Sequence, residues 1–396
     1  MTGRRYGLDG VLPRAVLDGT VPHAVVVSAD RTGQRHETAV GPRTHGSSEP
    51  IRADSVFRLA SMTKIFTAVA VVRLRDLGAL DLDAPVEDYR PEFAAVQVLD
   101  GFDGDRPRLR DPAGRATVRQ LLEHTAGFGY DLWHPELIRW AEAGGPGRAP
   151  AGLRGTFAQP MLADPGTRAG YGVGFDWLGL VVESVTGQNL AGYLAEHVFD
   201  PLGMTDTGFG LPADRRRRLV PVHVRDASGG WVPTDIGWER RDEACAGGHG
   251  LYSTPRDVLS LLRMLLGAGT VDGVTVLSSS SALEMFADHT AGLPGPARRP
   301  SARPTVTTEF PVEPGTGWGW GLAVGQPAPL SPRGTGDGGW AGIFNTFFWV
   351  DRRRGLTGAL FSQCLPFATP AVLRLRAEVE RARHASRPVR PASASV

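Results

Sequence analysis

Apolar positions divide the chain into three stretches with different periods. Residues 22–42 read as a hairpin: an apolar run from Ala24 to Val27, a polar turn at Asp30-Arg31-Thr32-Gly33, and a second extended run to Val40. Over 60–77 the spacing becomes helical, with Ile65, Phe66, Val69, Val72 and Leu77 three to four apart. The stretch 79–314 mixes helical segments with long Pro/Gly-rich loops. Its clearest helices are 117–124, 175–186 and 255–266, the last opened by Ser253-Thr254-Pro255. From about 317 the period returns to strands, at Trp318–Val324, Ile343–Val350 and Leu356–Cys364, with a basic turn at Asp351-Arg352-Arg353-Arg354-Gly355. An amphipathic helix over about 370–384 and a Pro/Ser/Ala/Arg tail, expected to be disordered from about 385, complete the chain.

Strands at both ends with helices between them predict an α/β (α+β) fold with one sheet drawn from both termini. The expected division is a sheet subdomain from 1–78 and 315–396, an α-rich subdomain over 79–314, and an active site between them.

Composition narrows the function classes. The 43 basic and 42 acidic residues balance, so no electrostatic footprint for nucleic acid or an anionic membrane stands out. No stretch approaches the roughly 18 apolar residues of a membrane span. The first residues carry no apolar signal core, and the cytoplasm is the expected location. Cys245 and Cys364 make no disulfide framework, and no metal-ligand spacing surrounds them, so neither a metal nor a cofactor is expected. Of the 43 basic residues a single one, Lys64, is lysine. Arginine is always charged, whereas a desolvated lysine can be neutral and act as a base. The exception therefore draws attention to its neighbours.

Those neighbours are Ser61-Met62-Thr63-Lys64 at the start of the 60–77 helix. Residues three apart share a helix face, so hydroxyl and amine can meet. The partial positive charge of a helix start favours negative charge on the serine oxygen, as an activated nucleophile requires. By itself an S-x-x-K match occurs by chance in many chains.

The surrounding sequence adds specificity. Phe57-Arg58-Leu59-Ala60-Ser61-Met62-Thr63-Lys64 resembles the nucleophile segment of the serine β-lactamase and penicillin-binding-protein superfamily. Further stretches follow in the order seen in its class C β-lactamase and family VIII esterase branch. They are Thr117-Val118-Arg119-Gln120-Leu121-Leu122-Glu123-His124-Thr125-Ala126-Gly127, Pro165-Gly166-Thr167-Arg168-Ala169-Gly170-Tyr171, Phe199-Asp200-Pro201-Leu202-Gly203-Met204, Gly250-Leu251-Tyr252-Ser253-Thr254 and Phe348-Trp349-Val350-Asp351. The resemblance spans about residues 20–385. It implies a β-lactamase-like fold, an antiparallel sheet flanked by helices plus an α-rich subdomain, and a catalytic set of Ser61, Lys64 and Tyr171. Tyr171 follows a Pro-Gly turn, a loop position suited to presenting a phenol into a cleft. In the family this tyrosine serves with the lysine as general base.

Two departures from the family pattern bear on substrate. Tyr-x-Asn becomes Tyr171-Gly172-Val173, an apolar side chain where an amide-binding asparagine is usual. The cationic Lys-Thr-Gly element becomes Trp340-Ala341-Gly342, resembling the Trp-Gly-Gly of family VIII esterases. Its loss argues for neutral or differently shaped substrates. The resemblance places the oxyanion donors at the backbone N–H groups of Ser61 and Ile343. Phe128, Tyr130 and Trp133 are candidate walls of an acyl pocket, with a place in the core as the plain alternative.

Other motifs read blandly. Gly334-Thr335-Gly336-Asp337-Gly338-Gly339 is followed by a strand, against a nucleotide loop, and Arg215–Arg218 reads as a solvated charge run. The expected function is a serine hydrolase acting on small-molecule esters through an acyl-enzyme. The alternative is an acyltransferase passing the acyl group to an alcohol or amine in natural-product biosynthesis, since Tyr171-Gly172-Val173-Gly174-Phe175-Asp176-Trp177 resembles such enzymes. A β-lactamase or D-Ala-D-Ala peptidase comes third, and a catalytically silent binding protein on the same scaffold is the rival of another class. No nucleic-acid or membrane partner is expected, and nothing specifies the oligomeric state.

Overall fold

The structure, a computed structural model, describes residues 8–145, 157, 159–237, 246–296, 298–311, 315–325, 334 and 336–385. The expected disordered tail beyond 385, Cys245 and Thr335 lie outside the described residues. Strands β1 (Ala24–Asp30), β2 (Arg35–Val40), β3 (Gly317–Trp318), β4 (Ala323–Val324), β5 (Gly338–Gly342), β6 (Thr346–Asp351) and β7 (Leu356–Phe361) form one antiparallel sheet in the order β3-β4-β5-β6-β7-β1-β2. The N-terminal hairpin joins the C-terminal meander where Val25 pairs with Phe361 and Asp30 with Leu356.

Helices cover both faces of the sheet. They include α1 (Leu8–Leu17), α2 (Thr63–Asp76), α3 (Val118–Leu122), α4 (Gly174–Thr186), α5 (Pro255–Leu266) and α6 (Pro370–Ala385). Helix α5 packs on β1, β6 and β7, while α1 and α6 pack on each other and on β2 and β7 respectively. Val25, Val27 and Ala29 accordingly enter one apolar cluster, and Ala24 and Val26 another. Burial on both faces explains why β1 is continuously apolar rather than alternating.

The burial of α2 is not confined to the face that the three-to-four spacing marks, and its surroundings explain why. Every residue from Thr63 to Val72 is buried, among them Ile65, Phe66, Val69 and Val72. A helix that is apolar all round belongs inside, and burial here outweighs the modest helix propensity of its β-branched residues. Ser61 does not sit in this helix. A separate tight turn, Ala60–Met62, precedes it, and Ala60 has φ 48, a left-handed conformation that costs a non-glycine residue roughly 1–2 kcal/mol.

Side-chain caps open two of these helices. Thr117 and Gln120 form a capping box on α3, and the Thr254 side chain accepts from the Asp257 N–H at the start of α5. Two strand expectations change. Trp318–Val324 is two short strands turned back on each other, because Gly321 at φ 80 reverses the chain. Ile343 opens the turn after β5, and β6 begins at Thr346. Among the described residues no helix is long and apolar enough to cross a membrane.

Candidate active site

Lys64 comes from the second position of α2, so its side chain emerges inside the protein and is 1% exposed. Its Nζ donates to the Gly248 carbonyl at 2.8 Å, to the Tyr130 hydroxyl at 3.0 Å and to Ser61 Oγ at 3.4 Å. Ser61 is partly exposed. Nucleophile and potential base are thus brought together by three-residue spacing, even though a tight turn rather than the helix itself carries Ser61.

Tyr171 is held by backbone. The Gly170 N–H donates to the His124 carbonyl and the Gly166 N–H to the Thr125 carbonyl, both at 2.8 Å, so the segment after α3 fixes the tyrosine loop. The two segments touch so closely that a Cβ on Gly172 would lie 2.4 Å from the Phe128 carbonyl carbon. The Tyr171 ring lies 4.9 Å from Lys64 Nζ, and its hydroxyl accepts from Trp340 Nε1 at 3.1 Å. Trp318 stacks on it at 5.2 Å with ring planes 13° apart, while Tyr130 and Trp133 close the other sides at 5.2 and 6.0 Å.

Tyr130 therefore stands on the amine itself, where the sequence suggested a pocket wall or a place in the core. Burial first, then the nearby Tyr171 and Asp176, pushes its phenol well above the ordinary range. It is a neutral hydrogen-bonding group at working pH.

Strand β5 brings the remaining predicted residues to the same place. Trp340 meets Tyr171, and Gly342 reaches the turn before the serine, where a Cβ would lie 2.3 Å from the Leu59 carbonyl oxygen. Only glycine permits that approach. Ile343 follows at once and packs with Ala60, and Ala341 is buried with Tyr171 in one cluster. Phe128 and Val173 are placed differently. Val173 is fully buried at the start of α4, and Phe128 packs on Phe93 in the helical core.

Several site residues had no clear signature in the sequence. Gly248 contributes a carbonyl oxygen, and its own N–H donates to Asp176 Oδ1 at 2.8 Å. Asp176 is fully buried. Burial drives its carboxyl up, yet the His249 imidazole, Lys64 and the Gly248 N–H together hold it below the usual range. His124 packs between Tyr171, Phe175 and Trp318, and burial, with Lys64 and Arg299 adding to it, keeps the imidazole neutral, well below its ordinary pKa. An acid inside the otherwise apolar start of α4 and the glycine cluster at 247–250 are the only hints the sequence offers of this support.

A serine on a tight turn, a buried amine beside it and a phenol held over that amine make up the equipment of covalent acyl transfer. The class that this fold and this constellation define is the serine acyl-transfer enzymes. A family model described as Beta-lactamase matches residues 14–383. Lovastatin esterase of Penicillium rubens is 33% identical over 369 residues, 89% of this chain and 91% of the relative. The monacolin J acid methylbutanoyltransferase of Aspergillus terreus is 35% identical over 271 residues, 65% of this chain and 66% of the relative. Among solved structures, unliganded simvastatin synthase from Aspergillus terreus, a selenomethionyl derivative, has a TM-score of 0.82 at 29% identity, covering 96% of this chain and 97% of that one. This chain belongs to the beta-lactamase family, and it is an enzyme similar to esterases and acyltransferases of that family.

Proposed function

We propose that the enzyme cleaves small-molecule esters through an acyl-enzyme on Ser61. The observation that carries this reading is the 3.4 Å approach of the buried Lys64 amine to Ser61 Oγ. In the first step Ser61 Oγ attacks the ester carbonyl; its proton passes to the Tyr171 oxygen while the Tyr171 hydroxyl proton moves to a neutral Lys64 amine. The backbone N–H groups of Ser61 and Ile343 receive the oxyanion. Collapse expels the alkoxide, which takes a proton from Tyr171 as Lys64 returns one to the phenol. Water, activated by the same pair, then attacks the acyl group and releases Ser61.

The scheme places the site between the sheet unit, 1–78 with 315–396, and the helical unit 79–314, and it fits a cytoplasmic enzyme. A lone lysine leaves no Lys-Thr-Gly segment, which ranks β-lactamase or peptidase activity third.

A second reading has a specific observation behind it. Tyr130, Trp133, Trp318 and Trp340 surround Tyr171 on several sides, an apolar enclosure suited to an organic acceptor better than to water. An alcohol or amine entering there would make the enzyme an acyltransferase, the activity named for the Aspergillus terreus relative.

The test is to label the enzyme with a fluorophosphonate and map the adduct by mass spectrometry. The adduct is expected on Ser61, with turnover abolished in a folded Ser61→Ala variant. An adduct on another serine sinks the reading. Product analysis of a butanoyl ester, with and without an added alcohol or amine, then separates hydrolysis from transfer.

A further inference from the structure

Asp176 is an acid in the otherwise apolar first turn of α4. It lies between Phe175 and Trp177, and all three are fully buried. A first-turn position favours a carboxylate, because a helix start carries partial positive charge. The two carboxylate oxygens are used unevenly. Oδ1 accepts from the Gly248 N–H at 2.8 Å and lies 3.4 Å from His249 Nδ1. Oδ2 is buried and, among the described residues, has no hydrogen-bond partner. Burial pushes the carboxyl up, but His249, Lys64 and the Gly248 N–H together hold it below its usual range, so it is ionised at neutral pH. Burying an ionised acid so incompletely paired costs stability, and such groups gather at active sites.

Two glycines join this acid to the reactive amine. A Cβ on Gly247 would lie 2.4 Å from the Phe175 carbonyl oxygen, and the Thr67 hydroxyl of α2 donates to the Gly247 carbonyl at 2.7 Å. The pair is thus wedged between α4 and α2. A Cβ on Gly248 would lie 2.9 Å from Asp176 Oδ1 and 3.3 Å from Lys64 Nζ. Gly248 therefore stands between acid and amine, giving its N–H to one and its carbonyl to the other. Among the described residues the ion-pair partner of Asp176 is His249, not Lys64.

The other groups around the amine carry no negative charge. Tyr130 at 3.0 Å is held protonated by burial, and burial likewise keeps His124 neutral. Tyr171 presents its ring at 4.9 Å, and Arg299, which acts electrostatically on Tyr171 and His124, is a cation. His249, with its side chain 33% exposed, is the partly open partner of the acid. Among these groups Asp176 is the only anion.

We propose that Asp176 is a positioning residue for Lys64, acting across Gly248 to stabilise the ammonium that forms as Lys64 takes the Tyr171 proton. The inference rests on the reading above, in which the Ser61 proton passes to the Tyr171 oxygen and the Tyr171 proton to Lys64. One proton arrives at Nζ and one positive charge forms there, while Asp176 keeps its charge and takes no proton. A fixed carboxylate facing a forming cation in a dry site lowers the barrier without reorganising. The separation by Gly248 matters, because a direct ion pair would hold the amine protonated before the reaction begins. His249 shares the same carboxylate and limits its pull on the amine.

Lys64 is the single lysine of the chain, so protein grown on lysine carrying carbon-13 at Cε gives one NMR signal that follows the charge of this amine. The signal is titrated with pH in wild type, Asp176→Asn and His249→Ala, and kcat is measured beside it on p-nitrophenyl butanoate. In Asp176→Asn the midpoint is expected to fall by at least about one pH unit, and kcat by about 10–100-fold. In His249→Ala the midpoint should rise, because the carboxylate then faces the amine alone. If Asp176→Asn does not fold, His249→Ala decides, and a fall or no change there overturns the proposal. A folded Asp176→Asn with an unmoved midpoint overturns it too, even if kcat is lost, since Asp176 would then be a mere support for the Gly248 loop. So does a moved midpoint with kcat within about threefold of wild type. Failure of the underlying reading shows separately: Ser61→Ala would still turn over the ester, whereas the Lys64 midpoints do not depend on which serine is the nucleophile.

Discussion

The Lys64 amine lies 3.0 Å from the Tyr130 hydroxyl, closer than the 3.4 Å that separates it from Ser61 Oγ. Two phenols therefore attend one amine, and they differ in kind. Tyr130 meets the nitrogen directly and is held protonated by burial. Tyr171 presents its ring at 4.9 Å and accepts from the Trp340 indole, which leaves its own O–H for the cleft.

This difference predicts unequal losses. Tyr171→Phe removes the proposed proton carrier and should lower kcat by about 10²–10⁴-fold. Tyr130→Phe removes one anchor of the amine and should cost about tenfold, with KM little changed. Steady-state kinetics on a p-nitrophenyl ester decide. Equal losses, or a larger loss for Tyr130→Phe, would exchange the two roles.

What the sequence revealed of this site follows the reach of local rules. The meeting of Ser61 and Lys64 is legible because three-residue spacing brings them together, whereas Tyr171 was singled out by the resemblance of the segment that it ends. Thr254 was readable as the opening of its helix, since a cap needs only its own turn. Tyr130 was read as a pocket wall or a core residue, and its contact with Lys64 was not foreseen because it spans 66 positions and depends on tertiary packing. Gly248 acts through a carbonyl, which every residue has and no sequence marks. Ile343 read as part of a strand because it is β-branched, although Gly342 pairs with Thr346 and leaves 343–345 as the turn. Val173 and Phe128 were apolar residues near the motifs, and hydrophobicity alone does not separate a pocket wall from the core.

Gly342 should tolerate no side chain. A Cβ there would lie 2.3 Å from the Leu59 carbonyl oxygen and 2.4 Å from Thr346 Oγ1, so in Gly342→Ala the end of β5 must retreat from the serine turn. If Ile343 N–H is an oxyanion donor, that retreat should cost about 10²–10³-fold in kcat, the effect of losing one such donor. Overpacking should also cost about 1–3 kcal/mol of stability, visible as a lower denaturation midpoint. A stable variant with kcat within a few-fold of wild type would remove Ile343 from the mechanism.

His23 should make the fold acid-sensitive. Its Nδ1 faces the Pro42 carbonyl at 3.1 Å, its Nε2 is buried without a partner, and His223 lies ring to ring at 5.1 Å. Burial above all, with His223 and His45 adding to it, lowers its pKa from 6.5 to about 3. Between these values the unfolded chain binds a proton that the folded one refuses, so stability is complete above about pH 6.5 and falls as pH drops toward 3. At pH 5 the loss should be about 2 kcal/mol. Urea unfolding of wild type and His23→Phe at pH 7.5 and pH 5 isolates it, because the variant cannot take up that proton. Equal acid losses in both proteins would assign the sensitivity elsewhere.

Lys64→Arg should destroy activity although it preserves charge. The three contacts of Nζ suit an amine at a point, and the Gly248 contact lies beside Asp176, leaving little room for a planar guanidinium. Arginine also stays protonated at any accessible pH, so it can support an electrostatic role but cannot accept or relay a proton. The loss should reach about 10²–10⁴-fold if Lys64 serves as base or relay. Since bulk alone could disturb the start of α2, circular dichroism and a thermal midpoint come first, and a second variant separates size from chemistry. Lys64→Ala opens space at the same point, and added propylamine should restore part of its rate in proportion to the neutral amine present, whereas added guanidinium should not. A folded, largely active Lys64→Arg enzyme, or equal rescue of Lys64→Ala by guanidinium, would show that the site needs only a positive charge there and would end the role of Lys64 as a proton carrier.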